Sequence, residues 1–485
     1  MENETTFAVN RAMMPAKDFV SLVSTRMVHR LRRLWCFFVV LLWGAFAHAQ
    51  DARVVHLLHF SDYHSHARPF QAGGERRAGG IARAIAWLRP WSERDDALIF
   101  NGGDMLNHGA PSWSDRHGCV EWPWLDGIVD AMAYGNHDAD NGTENFERCR
   151  RALRYPILGA NVLTSDGRER LFDVAGKPYV VFTANGVRVG VFAVVGSDFD
   201  RLIPLVRRPS PGAVFTDRVA AAREVVTALR EQEHVDVVAL IGHAHVEEDH
   251  ALARAVPGID VIFGTHSHRR VPLARVPETN TWFLSPFQYL EYISHVAVTV
   301  ENHRVTRVKG GLERMGARLP EDPDAARHVT ALQRVLETDP SYAQLFRPIG
   351  HTESALDTSG QFERDAPLGD LALDEVRAAT RSQVALTTAS TFREAIPLGD
   401  VTEESLRTAM PYENGVLVLR LRGETLRRIL DESVQRRGTD LFLQVSGVRF
   451  DFARDTLGSV RVLTDPSHPE YGYTPLYNDE LYRVA

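Results

Sequence analysis

The sequence Val54-Val-His-Leu-Leu-His-Phe60-Ser-Asp62-Tyr-His64 joins an apolar run to two side chains of the kind that bind metals. The apolar part predicts a buried strand over Val54–Phe60, and a carboxylate and an imidazole follow directly after it. The same arrangement returns at Ala97–Phe100, which leads into Gly102-Gly103-Asp104. A strand that ends in polar, ligand-type residues is therefore a repeated feature of this chain.

Three later segments have the same form. Their predicted strands are Ile128–Ala133, Val237–Ile241 and Val261–Phe263. The polar clusters that follow these strands are Gly135-Asn136-His137-Asp138, Gly242-His243 and Gly264-Thr265-His266-Ser267-His268. The stretches Gly80–Leu88 and Ala220–Leu229 predict helices, so we expect an α/β fold in which helices flank mixed sheets. Because such sheets place their sites beyond the carboxyl ends of strands, the clusters are expected to converge.

The composition indicates a folded protein that is not basic. With 485 residues and 44% hydrophobic content, the chain is long enough for two domains. Its formal net charge of -8 argues against a nucleic-acid polymer as partner, since such a partner requires a basic face. A small anionic substrate stays compatible with this charge, because bound metal ions supply local positive charge.

Residues 1–49 are predicted to be a cleavable export signal. Basic residues between Arg26 and Arg33 precede an apolar run over Leu34–Phe46, and small residues surround a cleavage point near Ala49. The alternative is an uncleaved membrane anchor, but the run is shorter than the about 20 residues that span a bilayer. We therefore expect a periplasmic or secreted protein without a stable membrane anchor.

Two cysteines, Cys119 and Cys149, follow the predicted signal. An oxidising compartment would let them pair, and the alternative is two unrelated small apolar residues.

The residue types at the strand ends suit a pair of divalent ions. Two ions roughly 3.5–4 Å apart need a bridging carboxylate, mixed oxygen and imidazole ligands, and a position for water or hydroxide. Asp104, which follows two glycines, is the predicted bridge. A hydroxide between the ions would attack phosphorus in line. The mixture of Asp, Asn and His favours Mn, Zn, Fe or Co over Ca or Mg.

The ordered clusters resemble the motifs of calcineurin-like metallophosphoesterases, in the branch of the 5′-nucleotidases and UDP-sugar hydrolases. The resemblance covers nearly the whole chain after the signal and implies a layered metallophosphoesterase sandwich. One ion would be held by Asp62, His64, Asp104 and His268, and the other by Asp104, Asn136, His243 and His266. The resemblance also makes His137 the catalytic histidine, oriented by Asp140, and implies that Asn136 and His137 bind the substrate.

Two positions within these motifs leave a choice. His243 and His245 both follow a strand, and we favour His243, which lies nearer to the strand and precedes Asp249 by six residues as in the family pattern. At position 268 many nucleotidases of this branch have Gln, whereas related cyclic-nucleotide phosphodiesterases commonly have His. His268 therefore preserves metal binding and weakens the expectation of strict 5′ specificity.

A smaller α/β substrate-specificity domain is predicted after a polar hinge that begins at Leu319. The predicted ranges are 50–318 for the metallophosphoesterase domain, 319–345 for a linker with a helix over Asp324–Leu336, and 346–485 for the second domain. The segments that resemble the C-terminal domain of 5′-nucleotidases are Pro367–Asp374, Pro397–Asp400 and Pro411–Asn414. Within this domain, Val416–Arg422 predicts a strand and Glu424–Ser433 a helix.

The resemblance implies a nucleoside pocket in this second domain. Tyr412 occupies the position of the family's aromatic stacker, where stacking is worth about 1–3 kcal/mol per base, although ordinary packing is the alternative. Asn414 would bind the base edge, and Arg393 the ribose or a phosphate. Residues 387–393 lack the Asn and Gly of the usual motif, and the chain ends where the family's last strand continues. We therefore expect a C-terminally truncated domain with weakened base binding.

These inferences predict an exported, metal-dependent phosphoester hydrolase. Its expected substrates are 5′-nucleotides and UDP-sugars, cleaved to nucleoside and phosphate by a metal-bridging hydroxide. One alternative is a 2′,3′-cyclic-nucleotide phosphodiesterase or a sulfur-ester hydrolase of the related branch. Another is a non-enzymatic protein that retains metal after its pocket has decayed. The complete ligand set together with His137 and Asp140 argues against that last alternative, since catalytic side chains are not needed merely to hold phosphate.

Overall fold

The computed structural model describes residues 52–72, 75–107, 112–412 and 414–485. Within these ranges, two six-stranded sheets and their covering helices form the first domain, and a smaller α/β domain follows. This architecture confirms the predicted fold class. The predicted signal at 1–49 lies outside the described residues, so it stays a prediction.

The first sheet is mixed. Its described strands are, in spatial order, Arg304–Arg314, Tyr292–Glu301, Arg53–Phe60, Ala97–Asn101, Ala131–Ala133 and Ile157–Leu158. Arg53–Phe60 pairs in parallel with Ala97–Asn101 and antiparallel with Tyr292–Glu301. The parallel strands bring their carboxyl ends, and the polar clusters that follow them, to one edge.

The second sheet is also mixed. Its described strands are, in spatial order, Arg270–Arg275, Trp282–Pro286, Val261–Phe263, Val237–Leu240, Val187–Phe192 and Val180–Ala184. Val237–Leu240 lies between two parallel neighbours, Val261–Phe263 and Val187–Phe192. Two short antiparallel pairs accompany the sheets, Phe70–Ala72 with Glu75–Ala78 and Val162–Leu163 with Val214–Phe215.

Alternation along the strands explains why the sheets stack. In Arg53–Phe60, the side chains of Val55 and Leu57 enter the apolar core between the two sheets. Leu58 and Phe60 point the other way, into the core beneath the outer helices of the first sheet. This period of two buries both faces of the strand, which produces layers of helix, sheet, sheet and helix.

Helices cover the outer faces of both sheets and recur in the second domain. The described α-helices are Ile81–Ser92, Ser112–His117, Thr143–Arg151, Phe199–Leu202, Arg218–Thr227, Val246–Ala255, Pro323–Thr338, Pro367–Thr380, Glu403–Ala409 and Gly423–Gln435. The side chain of Asp322 caps the first turn of Pro323–Thr338. The buried face of this helix joins the core of the first domain, so the predicted linker helix is packed against that domain. None of the described helices is long and apolar enough to cross a membrane.

The second domain consists of small sheets around helices. Its described strand pairs are Pro348–Thr352 with Gly399–Thr402, Ala385–Thr388 with Leu443–Ser446, and Leu419–Arg422 with Leu481–Val484. A further sheet contains Val448–Ala453, Thr456–Leu463 and Tyr473–Pro475. Helix Gly423–Gln435 packs Leu426 and Leu430 against these strands in one apolar core. The domain boundaries and the expected truncation stay predictions.

Several predicted elements differ in extent. The strand expected at Ile128–Ala133 spans only Ala131–Ala133, because Gly127 adopts a left-handed conformation and the next residues turn back to Leu125. The helix expected at Ala220–Leu229 begins at Arg218 and ends in a π-helical turn over Ala228–Gln232. The strand expected from Val416 begins at Leu419. Cys119 and Cys149, whose pairing was open, form a disulfide.

Candidate metal centre

Six of the predicted ligands lie in two clusters at the carboxyl ends of the strands. The first cluster consists of Asp62, His64 and His268, and the second of Asp104, His243 and His266. In each cluster one ligand atom from every residue lies within 4.8 Å of the others. Residues from four separate segments of the chain therefore converge, as expected from their places at the strand ends.

Asp104 contacts both clusters. Its Oδ2 atom is 3.1 Å from His243 Nε2 in the second cluster and 3.7 Å from His64 Nε2 in the first. Within the first cluster, His64 Nε2 and His268 Nε2 are 3.0 Å apart, and His268 Nε2 is 3.3 Å from Asp62 Oδ1. A buried carboxylate between two groups of nitrogen and oxygen ligands has the position that a bridging ligand requires.

The backbone at most of these ligands is strained. Left-handed φ values between 47° and 56° occur at Asp62, His64, Asp104, His266 and His268. Such a conformation costs of order 1–3 kcal/mol at a residue other than glycine, and it persists only where the surroundings enforce it. Buried backbone hydrogen bonds hold the loops in this conformation, since the N–H of Asp62 donates to Gly103 O and the N–H of His64 to Asp104 O.

A buried carboxylate, Asp138, joins the two loops that meet at Asp104. Its oxygens accept hydrogen bonds from the N–H groups of Met105 at 2.7 Å, Gly135 at 2.8 Å and Asp104 at 3.3 Å. The two loops approach each other so closely that a Cβ atom on Gly135 would lie 2.2 Å from Asp104 Oδ1. Glycine is therefore required at position 135 for steric reasons.

The atoms of the site fit bound cations. A carbonyl oxygen only accepts, so the Nδ1 atoms of His64 and His243 must donate to Leu106 O at 3.0 Å and Gly102 O at 2.7 Å. The Nε2 lone pair of each ring is then directed into the site. Asn136 Oδ1 and His243 Nε2 are among the buried side-chain atoms of the described residues that have no hydrogen-bond partner. Buried lone pairs of this kind beside the Asp104 carboxylate are a donor set that a divalent cation would satisfy.

His137 and Asp140 form a pair beside Asp104. His137 Nδ1 lies 2.6 Å from Asp140 Oδ2, and the backbone N–H of His137 donates to Asp104 Oδ1 at 2.8 Å. Burial lowers the pKa of His137, but the negative charges of Asp140 and Asp104 outweigh burial and raise this pKa to about 10. These carboxylates favour the protonated imidazole, which suits contact with a phosphate group.

The second domain brings two of its three predicted substrate residues to this centre. Arg393 Nη1 donates to His268 Nδ1 at 2.7 Å, and Nη2 donates to the hydroxyl group of Tyr412. The guanidinium carbon of Arg393 lies 5.2 Å from the centre of the Tyr412 ring. Asn414 is exposed, and its backbone N–H donates to Tyr412 O. Arg393 and Tyr412 therefore reach the metal centre, whereas Asn414 stays at the surface.

A cavity of about 530 Å³ adjoins His268 between the two domains. Its walls include Tyr289 from the first domain and Gln361 and Arg393 from the second. This volume lies in the usual range for small-ligand sites. For the part of the chain that the structure describes, Tyr412 and Asn414 are not in the cavity wall.

One residue near the site was missed from the sequence. Asp198 lies against His245 and His266, so that these three residues form a third group of potential ligands. A signal for it was present, because Gly196-Ser197-Asp198 follows the apolar strand Val187–Phe192 after a short apolar extension. This is the same arrangement of strand, glycine and polar residue that identified the clusters at Asp104, Asn136, His243 and His266.

Two family models match the chain. The calcineurin-like phosphoesterase model matches residues 55–270, and the 5′-nucleotidase C-terminal domain model matches residues 348–485. Residues 55–270 therefore form a calcineurin-like phosphoesterase domain, and residues 348–485 a 5′-nucleotidase C-terminal domain. The protein is accordingly a metal-dependent phosphoester hydrolase, which confirms the prediction from the sequence.

Individual relatives resemble the chain along most of its length. A 5′-nucleotidase from Diplobatis ommata is 24% identical over 88% of this chain and 80% of the relative. The solved structure of a 5′-nucleotidase precursor from Thermus thermophilus is 25% identical, with 89% of each chain covered and a TM-score of 0.68. A sulfate thiohydrolase from the same organism has the same fold, with a TM-score of 0.67 at 20% identity and coverage of 89% and 88%.

Proposed function

We propose that the protein hydrolyses small nucleotides, namely 5′-nucleotides and UDP-sugars, to nucleoside and phosphate. The observation that carries this proposal is the junction of two ligand clusters at Asp104 beside the His137–Asp140 pair. The family and the matched C-terminal domain model support the choice of nucleotides.

Two divalent ions, of Mn, Zn, Co or Fe, are proposed as cofactors. The first would be held by Asp62, His64, Asp104 and His268, and the second by Asp104, Asn136, His243 and His266. When bound, the ions would supply an activated water and stabilise charge on the phosphoryl oxygens. The chain's contribution is to hold these ligands apart from solvent and in fixed tautomers, which the carbonyls of Leu106 and Gly102 support.

His137 is proposed to stabilise the negative charge of the phosphoryl group. Because Asp140 holds Nδ1, the Nε2–H group of the imidazolium is available to donate to a phosphoryl oxygen. The amide of Asn136 is proposed as a further contact to that group. Both residues belong to the loop that Asp138 connects to Asp104 through hydrogen bonds. Asp104 and the proposed phosphate contacts are therefore held in one arrangement.

Selection of the substrate is assigned to the second domain. Arg393 is proposed to bind the ribose or a phosphate, Tyr412 to stack on the base, and Asn414 to bind the base edge. The contact of Arg393 with His268 supports a role close to the phosphate. We also propose export through the segment 1–49, which N-terminal sequencing of the protein from an expressing host would test.

The test is phosphate release by the purified chain loaded with Mn, Co or Zn. AMP, UDP-glucose, 2′,3′-cyclic AMP and a simple aryl phosphate are compared at equal concentration. Preference for AMP or UDP-glucose is the expected result. Activity that is confined to the aryl ester contradicts nucleotide selectivity while leaving the metal centre functional.

His268 supports a second candidate, a 2′,3′-cyclic-nucleotide phosphodiesterase. The resemblance associates His at this position with related cyclic-nucleotide enzymes, and here the ring lies 3.0 Å from His64 in the first cluster. A higher kcat/KM for 2′,3′-cyclic AMP than for AMP in the same assay would favour this candidate.

A further inference from the structure

Asp198 is a largely buried carboxylate beside the second cluster that the proposed metal assignment does not use. Its side chain is 13% exposed, and it follows the strand Val187–Phe192 at the same end as the metal ligands. Its Oδ2 atom lies 3.1 Å from His245 Nε2 and 3.3 Å from His266 Nε2. One carboxylate oxygen therefore joins a proposed metal ligand to a second histidine.

The direction of these hydrogen bonds follows from chemistry. An ionised carboxylate only accepts, so the Nε2 atoms of both histidines must carry the protons that they donate to Asp198. A neutral imidazole has one proton, which leaves the lone pair of His266 on Nδ1. The metal-binding atom of this histidine is then determined by a residue outside the ligand set.

His245 completes a consistent network. With its proton on Nε2, its Nδ1 atom is an acceptor and lies 3.3 Å from Ser267 Oγ. The Ser267 hydroxyl donates to this nitrogen and itself accepts from the Val246 N–H at 3.0 Å. Each polar hydrogen in this chain of groups thus has a single acceptor. His245 therefore donates a hydrogen bond that helps to hold the Asp198 carboxylate in place. This contact gives a role to the second histidine after the strand.

We propose that Asp198 is a positioning residue that holds His266 in the tautomer with a free Nδ1 and directs that nitrogen to the second metal ion. The proposal deepens the proposed function and rests on it, since it requires His266 to be a ligand. A carboxylate that donates no ligand atom but fixes a metal-bound histidine in this way typically contributes about 10- to 100-fold to metal affinity.

The competing arrangement is a third cation held by Asp198, His245 and His266. We favour the hydrogen-bonded arrangement, because two N–H groups that donate to one Asp198 oxygen account for both short distances without a further ion. A cation at that place would require both Nε2 atoms to lose their protons and His266 to serve two ions at once.

The first experiment is a calorimetric titration of the metal-free chain with Zn²⁺, without substrate. In Asp198→Asn, we expect the affinity of one of two ions to fall by about 10- to 100-fold and that of the other to change little. Asp200→Asn is the matched control, since this exposed carboxylate lies two residues further along the chain. Unchanged affinity in Asp198→Asn overturns the proposal, as does a third equivalent of Zn²⁺ that this substitution removes.

The second experiment reads the tautomer directly in the wild-type chain, so it does not depend on the folding of a variant. Nitrogen-15 labelled histidine distinguishes protonated from unprotonated ring nitrogens in the Zn²⁺-loaded protein. His266 with a proton on Nε2 is the expected result, and a proton on Nδ1 overturns the proposal. Both measurements are made without nucleotide, so failure of the proposed substrate class would leave their outcome intact.

Discussion

The side chains of the metal centre are buried and anchored, whereas the two that are proposed to bind the base are exposed. Asp62 and His243 are fully buried, and backbone hydrogen bonds hold the Asp62 N–H and the His243 ring. Tyr412 is 39% exposed, and Asn414 lies at the surface. The proposed hydrolytic chemistry would thus depend on groups that tolerate little change, while the proposed base selection would depend on groups that can be replaced at small cost to the fold.

Asp104→Ala has the largest expected effect, because one carboxylate contacts both clusters. We expect loss of both ions and a fall in kcat/KM of about 10⁴-fold, since several kcal/mol of metal-derived stabilisation disappear. Metal content by mass spectrometry checks the first part. Asp166→Asn, at an exposed carboxylate, is the control. Loss of a single ion would show that Asp104 is not the bridge.

His137→Ala separates chemistry from metal binding within the anchored region. Turnover is expected to fall by about 10²- to 10³-fold while two ions stay bound, because His137 is proposed to act on the phosphoryl group and not as a ligand. The measurements are steady-state kinetics and metal content of the same preparation. His468→Ala, at an exposed histidine, should change neither quantity. Unaltered turnover in His137→Ala would remove this residue from the mechanism.

Glu121→Gln tests whether a buried carboxyl group that no proposed ion contacts lowers the stability of the fold when it ionises. Burial raises the pKa of Glu121 from 4.5 to about 7, against hydrogen bonds from Tyr63 and Trp113. The folded state therefore binds this proton more tightly than the unfolded state, and stability falls as pH rises from about 4.5 to about 7.

Glutamine cannot ionise, so the substitution should remove this loss. We expect Glu121→Gln to be more stable than the wild type by up to about 2–3 kcal/mol near pH 8, with no such gain near pH 4. Thermal unfolding at both pH values measures the difference. A gain of the same size at both would assign the effect to packing and not to ionisation.

Tyr412→Ala has the smallest expected effect and tests the exposed residues that are proposed to bind the base. The KM for AMP should rise about tenfold, and that for an aryl phosphate should stay nearly constant, because only AMP offers a base for stacking. Tyr412→Phe keeps the ring and removes the hydroxyl group that contacts Arg393. Tyr471→Ala, at another exposed tyrosine, is the control. Equal effects on both substrates would contradict base stacking.

The strand ends were predictable because each signal was local. A buried strand followed by ligand-type residues occupies about ten residues of sequence, and four of the five such signals led to the two clusters. Asp198 carried the same signal and was overlooked, because its strand has a longer apolar extension before Gly196-Ser197-Asp198. The shorter strand at Ala131–Ala133 was not predictable, since Gly127 ends the preceding turn through its left-handed backbone.

Other features depend on contacts between distant residues. The approach of Arg393 to His268 joins positions that are 125 residues apart and belong to different domains. The disulfide between Cys119 and Cys149 was one of two open alternatives, since a spacing of 30 residues does not establish proximity. Likewise, His245 lies close to His243 in sequence, and its contact with Asp198 distinguishes their roles.

The sequence by itself determined the layered α/β fold, the family resemblance and most of the residues that can bind metals, because strand periodicity and residue chemistry are local properties. Tertiary structure decided which residues share a cluster, which nitrogen of His64 and of His243 is free, and how Asp104 contacts both groups. The physical reason is that hydrogen-bond direction and ligand distance depend on the packing of loops that are far apart in the chain.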